Sequence, residues 1–142
     1  MKVVYYYSVS LKISPVKAFL GRYALSAHDS EKQKEHKVKV LTFIDQTITF
    51  VSERNGRPIP PVSQPLQGYL FCEMRIKDSS NLIRILYFCY RQSTLVLLYA
   101  FEKPDHYEKG KKKKVEKDIR LALERSYINY QDFLKYQYYE AY

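Results

Sequence analysis

The spacing of apolar side chains in the first third of the chain predicts one strand and two helices. Residues 2 to 8 are mostly β-branched and aromatic, which is typical of a strand. Ser14 followed by Pro15 is a typical helix start, and the apolar spacing behind it predicts a helix from about 15 to 25. A second helix is predicted over 37 to 53, on its length and helical spacing, although its first residues alternate like a strand.

Polar segments separate these elements from each other and from the middle of the chain. Residues 26 to 37 are polar and charged, which predicts a loop. Residues 56 to 61 contain one glycine and three prolines and can continue neither a helix nor a strand. A connection running to about residue 68 is therefore expected.

The middle of the chain predicts a β-meander. Three strand-like runs cover residues 69 to 77, 82 to 91 and 94 to 103. The short polar connections between them allow only neighbouring antiparallel pairing.

The last part of the chain predicts a long amphipathic helix behind a run of lysines. Its apolar positions recur every three or four residues at Val115, Ile119, Leu123, Tyr127, Tyr130 and Leu134. Residues 126 to 142, including a tyrosine-rich tail, are interpreted as an extension of this helix.

The order of these elements predicts a single α+β domain over residues 1 to 142. In such a fold the two N-terminal helices and the C-terminal helix pack on one face of an antiparallel sheet. The other face is expected to be open and to carry the functional side chains.

Length and hydropathy agree with a single cytoplasmic domain. The chain has 142 residues and is 46% hydrophobic, which is enough for one core. It contains no apolar run near the ~18 residues of a membrane span and no leader-like segment at its start. We therefore expect no membrane partner.

The net charge of the chain indicates what kind of partner it binds. The chain has 24 Lys and Arg against 15 Asp and Glu, a net charge of +9. A polyanion, nucleic acid first, is the usual reason for so basic a small domain. The run Lys111, Lys112, Lys113 and Lys114 is either a phosphate-binding patch or a solvated loop.

The chain lacks the sequence motifs of several classes of enzyme and metal site. Cys72 and Cys89 lack metal-binding spacing, and no P-loop, nucleophile elbow or zinc-protease motif occurs. No metal and no cofactor are expected. A site of cations, a carboxylate and aromatic rings suits attack of an RNA 2′-hydroxyl on its own phosphate, because preorganised cations stabilise the charge that develops.

Two strands of the predicted meander supply candidate residues. Alternation places Glu73, Arg75 and Lys77 on one face of the first strand, an arrangement that a half-solvated strand also shows. Arg84 lies within an otherwise apolar strand and needs an anionic partner. That partner is either Glu73 or a bound phosphate, and we expect the phosphate role to dominate, with Arg84 unpaired in the free protein.

The end of the third strand offers further candidates. Lys103, His106 and Tyr107 lie where proline ends the strand, a place that often presents functional side chains. Tyr87 and Tyr107 are candidates for stacking on a base.

Several short motifs also occur in a distinctive order between about residues 14 and 125. They are Ser14 to Leu20, Gly56-Arg57-Pro58, Glu73-Met74-Arg75, Arg84 to Phe88 and Leu97 to Lys103. In order and spacing they resemble the phage-derived HigB-like proteins of the RelE/ParE toxin superfamily.

The resemblance implies a compact RelE-like toxin that cuts mRNA on the ribosome without a metal and pairs with a HigA-like helix-turn-helix antitoxin. By motif position, Arg75 and Arg84 hold the scissile phosphate and Glu73 is a base or orients Arg75. Lys103 or His106 protonates the leaving oxygen. The family usually has a second basic residue after the lysine, where this chain has Pro104.

Two other functions fit the same sequence. One is a non-enzymatic ParE-like toxin that inhibits a topoisomerase. The other is an RNA-binding module that does not cleave and that binds through Lys77, the lysine run and the tyrosines.

Overall fold

The computed structural model describes residues 1–142. It contains six strands, three α-helices and two short 3₁₀ turns. In chain order they are β1 (Lys2–Tyr6), α1 (Pro15–Leu20), a 3₁₀ turn (Gly21–Tyr23), α2 (Glu31–Glu53), β2 (Ser63–Pro65), β3 (Cys72–Asp78), β4 (Asn81–Tyr90), β5 (Thr94–Pro104), a 3₁₀ turn (Lys109–Lys111), α3 (Lys112–Tyr136) and β6 (Tyr139–Ala141).

The six strands form one sheet in the order β2-β3-β4-β5-β1-β6. The predicted antiparallel meander of β3, β4 and β5 is confirmed, as is the α+β class. The sheet is nevertheless mixed, because β1 pairs with β5 in parallel. The first strand thus joins the far side of the meander instead of one of its chain neighbours.

The sheet carries a core on each face, which corrects the prediction of one open face. One core joins side chains such as Tyr5, Ile85 and Leu97 to α1 and α2. The core on the opposite face joins the alternate strand residues, such as Leu86 and Leu98, to Phe133 on α3. Because β4 is apolar on both sides, both of its faces need a cover, and α3 packs opposite α1 and α2.

The segment predicted as a loop before α2 is partly helical. The helix begins at Glu31, where Ser30 and Gln33 form a reciprocal capping box. The Gln33 backbone N–H donates to the Ser30 hydroxyl (3.1 Å), and the Ser30 N–H donates to Gln33 Oε1 (2.8 Å). The cap satisfies two free N–H groups, so a polar and exposed first turn still forms a helix.

The predicted first helix ends early. The helix α1 stops at Leu20, and a single 3₁₀ turn continues it to Tyr23 instead of to residue 25. Ser14 occupies the N-cap position, but its hydroxyl makes no hydrogen bond there.

The C-terminal tail is a strand and not an extension of the helix. The helix α3 ends at Tyr136, and Gln137 takes a left-handed conformation (φ 57°) that turns the chain. The tail then pairs antiparallel with β1 as β6, and Tyr142 packs on Tyr5 and donates a hydrogen bond to Asp45. The tyrosine-rich end therefore covers the free edge of β1.

The buried side of α3 is less apolar than predicted. Tyr127 and Leu134 are 45% and 43% exposed. The buried stripe instead consists of Val115, Ala122, Ser126, Asn129 and Phe133. The Asn129 amide donates to the Leu98 carbonyl (2.9 Å), so a polar side chain anchors the helix to the sheet.

No helix of this chain is both long enough and apolar enough to cross a bilayer.

The packing of α3 can be tested with neighbouring substitutions. Phe133 is 2% exposed and its ring centroid lies 5.2 Å from that of Tyr90. Phe133→Ala is expected to cost about 3–5 kcal/mol of unfolding free energy, because it leaves a cavity under the helix. Leu134→Ala is the matched control and should cost no more than about 0.5–1 kcal/mol. Urea unfolding measures both, and equal losses would contradict this packing.

Candidate functional site

Three adjacent strands bring the predicted cationic side chains together on the face of the sheet that α3 covers in part. Arg75 lies opposite Arg84 on β4, and Arg84 lies opposite Phe101 on β5. Glu73 and Lys103 are each two residues from a member of this row and therefore share its face. We call Glu73, Arg75, Arg84 and Lys103 the basic cluster.

Glu73 is the buried centre of the basic cluster. Its side chain is 1% exposed, and Oε2 forms an ion pair with Arg84 Nη2. The Gln64 amide on β2 donates to Oε1 (2.6 Å), and Arg75 Nε lies 4.0 Å from the same oxygen. Both carboxylate oxygens are therefore engaged by neighbouring strands.

Arg84 is held in place by an ion pair, whereas the sequence predicts that it is unpaired in the free protein. Glu73 is its ion-pair partner, so the prediction of an unpaired Arg84 is wrong. Burial lowers the pKa of Arg84 below its ordinary value. Its Nε is buried without a hydrogen-bond partner, and its guanidinium lies 5.3 Å from the centre of the Phe101 ring. One donor of Arg84 is therefore unsatisfied within the protein.

Lys103 is the cation of the cluster that has no carboxylate within 4 Å. Burial lowers its pKa below the ordinary lysine value, and the charges of Arg84 and Arg75 lower it further. Three cations against the single carboxylate of Glu73 leave two positive charges uncompensated. Such a surplus favours an anion at this site.

The loop behind β5 forms the rim of the cluster. Asp105 pairs with Lys77 (3.3 Å), and the His106 ring lies 3.9 Å from the same carboxylate. The His106 side chain is 96% exposed, so it lies outside the buried part of the cluster. Tyr107 is also exposed in this loop.

Tyr87 lies on the wrong face for a role in this site. Its side chain is fully buried in the core beneath α1 and α2, and its hydroxyl donates to the Gly56 carbonyl (3.2 Å). The prediction that Tyr87 stacks on a base is therefore wrong. The aromatic ring beside Arg84 is Phe101, which alternation from Lys103 would have indicated.

The lysine run lies toward the Lys103 end of β5. Asn129 contacts Leu98, whereas Asp118 and Phe101 line one common cavity. The helix α3 therefore runs antiparallel to β5, and its first turn lies beyond Phe101. Lys111, Lys112, Lys113 and Lys114 are all exposed there, and only Lys112 has a carboxylate nearby, Glu116 at 3.9 Å.

The arrangement can hold a phosphate group. The guanidinium of Arg75 is partly exposed, the buried Nε of Arg84 is unsatisfied within the protein, and Lys103 has no carboxylate within 4 Å. Guanidinium groups bind phosphate oxygens with two parallel hydrogen bonds, and lysine adds a point charge. No group of three or more His, Cys, Asp or Glu side chains lies close enough together to hold a metal ion.

The buried ion pair makes a prediction about stability. Arg84→Met leaves the Glu73 carboxylate buried without its closest cation, which should cost about 3–5 kcal/mol of unfolding free energy. Adding Glu73→Gln removes the stranded charge and should restore most of that loss. Lys103→Met is the control and should change stability little, because Lys103 has no ion pair to lose.

Urea unfolding of the three variants measures these differences. An Arg84→Met protein as stable as the wild type would show that the ion pair does not support the fold.

A family model described as "Phage derived protein Gp49-like (DUF891)" matches residues 31–126, and no curated protein matches the sequence. The matched range runs from the start of α2 into α3 and includes the whole basic cluster. It confirms the predicted resemblance to phage-derived toxins of the RelE type, and the fold is compatible with a compact RelE-like protein. The narrower assignment to HigB stays a prediction. The chain therefore belongs to the Gp49-like family of phage-derived proteins, a family of RelE/HigB-type toxins.

Proposed function

We propose that this protein is a toxin endoribonuclease that cleaves mRNA without a metal ion, with the basic cluster as its active site. The observation that carries the proposal is the surplus of cations around Glu73, which includes a lysine whose pKa is lowered by burial and then by two neighbouring arginines. Toxins of this family imply an antitoxin partner. We propose a HigA-like helix-turn-helix protein for that role, ribosome-bound mRNA as the substrate, and the cytoplasm as the location.

In the proposed reaction the arginines stabilise the transition state. The 2′-hydroxyl oxygen attacks the adjacent phosphorus and loses its proton, and negative charge builds up on the non-bridging oxygens. Arg75 and Arg84 are held on neighbouring strands at opposed positions, so their donors need little reorganisation when that charge appears. Fixed donors of this kind stabilise the transition state more than the ground state.

Lys103 supplies the proton that the leaving group needs. The bond from phosphorus to the 5′-oxygen breaks, and that oxygen takes a proton from the Lys103 ammonium group. Because burial and the arginines lower the pKa of Lys103, it gives up this proton more easily than an ordinary lysine. The products are a 2′,3′-cyclic phosphate and a free 5′-hydroxyl.

Glu73 is a positioning residue in this scheme. Both of its oxygens are engaged, by Gln64 and by Arg84, so it orients the guanidinium instead of accepting a proton. The proton of the 2′-hydroxyl goes to solvent water or to His106, whose exposed ring lies at the rim.

The buried ion pair also favours a second candidate, an RNA-binding module that does not cleave. Glu73 neutralises the charge of Arg84. A site with this ion pair can bind a phosphate group without catalysing its cleavage. RNA that is bound but recovered intact would favour this candidate. A ParE-like protein would instead inhibit a topoisomerase and leave RNA intact.

Removal of the proton donor tests the enzymatic proposal. The purified protein is expected to cleave single-stranded or ribosome-bound mRNA in the presence of a chelator, leaving cyclic phosphate ends. Lys103→Ala should lower the cleavage rate about 10²–10⁴-fold, the usual contribution of a general acid. Lys32→Ala, an exposed change in α2, should leave it unchanged. Intact RNA with the wild-type protein would contradict the proposal.

The pH profile separates proton donation from simple charge. The wild-type rate should fall as pH rises through the lowered pKa of Lys103, because only the protonated amine can donate. Lys103→Arg keeps a positive charge over that whole range and should lose this descending limb together with most of the activity. If the rate of Lys103→Arg falls with rising pH as the wild-type rate does, another group donates the proton.

The lysine run is expected to add affinity without sequence preference. Replacing Lys111, Lys113 and Lys114 with glutamine removes three phosphate contacts, which should reduce the slope of log affinity against log salt by about two for single-stranded RNA. The same three-charge change at the exposed Lys12, Lys32 and Lys135 should not alter the slope. Equal slopes in wild type and the first variant would show that the run does not contact RNA.

A further inference from the structure

A cavity of about 300 Å³ lies between α2 and the outer edge of β3. It exists because β2 is short. Ser63, the first residue of β2, pairs with Met74, so no strand covers β3 beyond that point. Phe43, Gln46 and Phe50 of α2 form one wall, and Arg75 and Lys77 form the other.

Two phenylalanine rings with cations above them make up the wall on α2. Phe43 is 41% exposed, and Lys39 Nζ lies 5.7 Å from the centre of its ring. The Arg54 guanidinium lies 3.5 Å from the centre of the Phe50 ring. Because Arg54 lies over one face of the half-buried Phe50 ring, Phe43 is the more exposed of the two rings. Aromatic rings beside cations are the usual platform for the bases of a single-stranded nucleic acid.

Gln46 provides hydrogen-bonding groups at the same place. Its side-chain amide lines the cavity and makes no hydrogen bond within the protein. A free amide has donors and an acceptor and can pair with the edge of a base. No carboxylate lines the cavity, so its charged groups are the cations Arg75 and Lys77.

Arg75 connects this cavity to the basic cluster. Its side chain lines the cavity, and its Nε lies 4.0 Å from Glu73. An RNA strand whose phosphate group is bound at the basic cluster would therefore place its neighbouring nucleotide beside α2.

We propose that the cavity between α2 and the edge of β3 is a base-binding subsite for single-stranded RNA. It receives the base next to the phosphate held by Arg75, stacks it against Phe43 and presents Gln46 to its edge. The inference rests on the proposed function in that it places RNA at the basic cluster. It adds an element of sequence preference, because Gln46 contacts a base and not a phosphate.

Binding of RNA that cannot be cleaved tests the subsite separately from catalysis. The probes are 2′-O-methyl strands of about seven nucleotides, each lacking the base at a different single position. At one position the loss of the base should weaken binding to the wild type about 5- to 100-fold, as expected for one stacked base. Phe43→Leu should bind the intact strand equally weakly and show no further loss with that abasic strand.

Matched variants complete the experiment. Tyr138→Leu removes an exposed ring from the far end of the sheet and should bind as the wild type does. Gln46→Ala should retain the abasic effect but change the ranking of the four bases at that position. If no abasic strand binds the wild type more weakly than the intact strand does, and Phe43→Leu binds RNA normally, the proposed subsite is wrong even if RNA is cleaved.

Two other outcomes are also decisive. If wild type shows the abasic effect at one position, and Phe43→Leu removes it, but natural RNA is never cleaved, then the subsite stands and the proposed enzymatic function fails. If Phe43→Leu binds RNA normally but no longer binds the antitoxin encoded by a neighbouring gene, then the cavity is a protein-docking site and the proposal is wrong.

Discussion

The buried ion pair between Glu73 and Arg84 is the interaction on which the candidate site depends. A carboxylate that is 1% exposed must be paired, and it draws Arg84, Gln64 and Arg75 around it. These partners come from β2, β3 and β4, so one charge orients side chains on three strands. The same pair leaves Lys103 as the cation without a carboxylate partner, so uncompensated positive charge lies on the β5 side of the cluster.

The covering of both faces of the sheet determines where a ligand can approach. The helices α1 and α2 cover one face, and α3 covers part of the other. The charged side chains of the candidate site are therefore accessible at the end of the meander, beside Lys103 and the first turn of α3, and at the uncovered edge of β3. The basic cluster and the cavity beside α2 meet at Arg75, so a single strand can occupy both.

Much of the site was predictable from strand periodicity. Alternation correctly grouped Glu73, Arg75 and Lys77, and the short connections of the meander placed Arg84 next to them. The same periodicity separates Tyr87 from Arg84 by an odd number of residues, which puts it on the opposite face. The cavity wall formed by Phe43 was not predictable, because apolar positions on α2 do not reveal that β2 ends early.

The sequence by itself determined the α+β class, the meander and the helices, because these depend on local spacing, caps and turns. The tertiary structure decided that β1 pairs in parallel with β5, that the tail forms β6 and that α3 packs opposite α2. It also decided that Arg84 pairs with Glu73. These features depend on contacts between residues distant in sequence, whose energies no local pattern records.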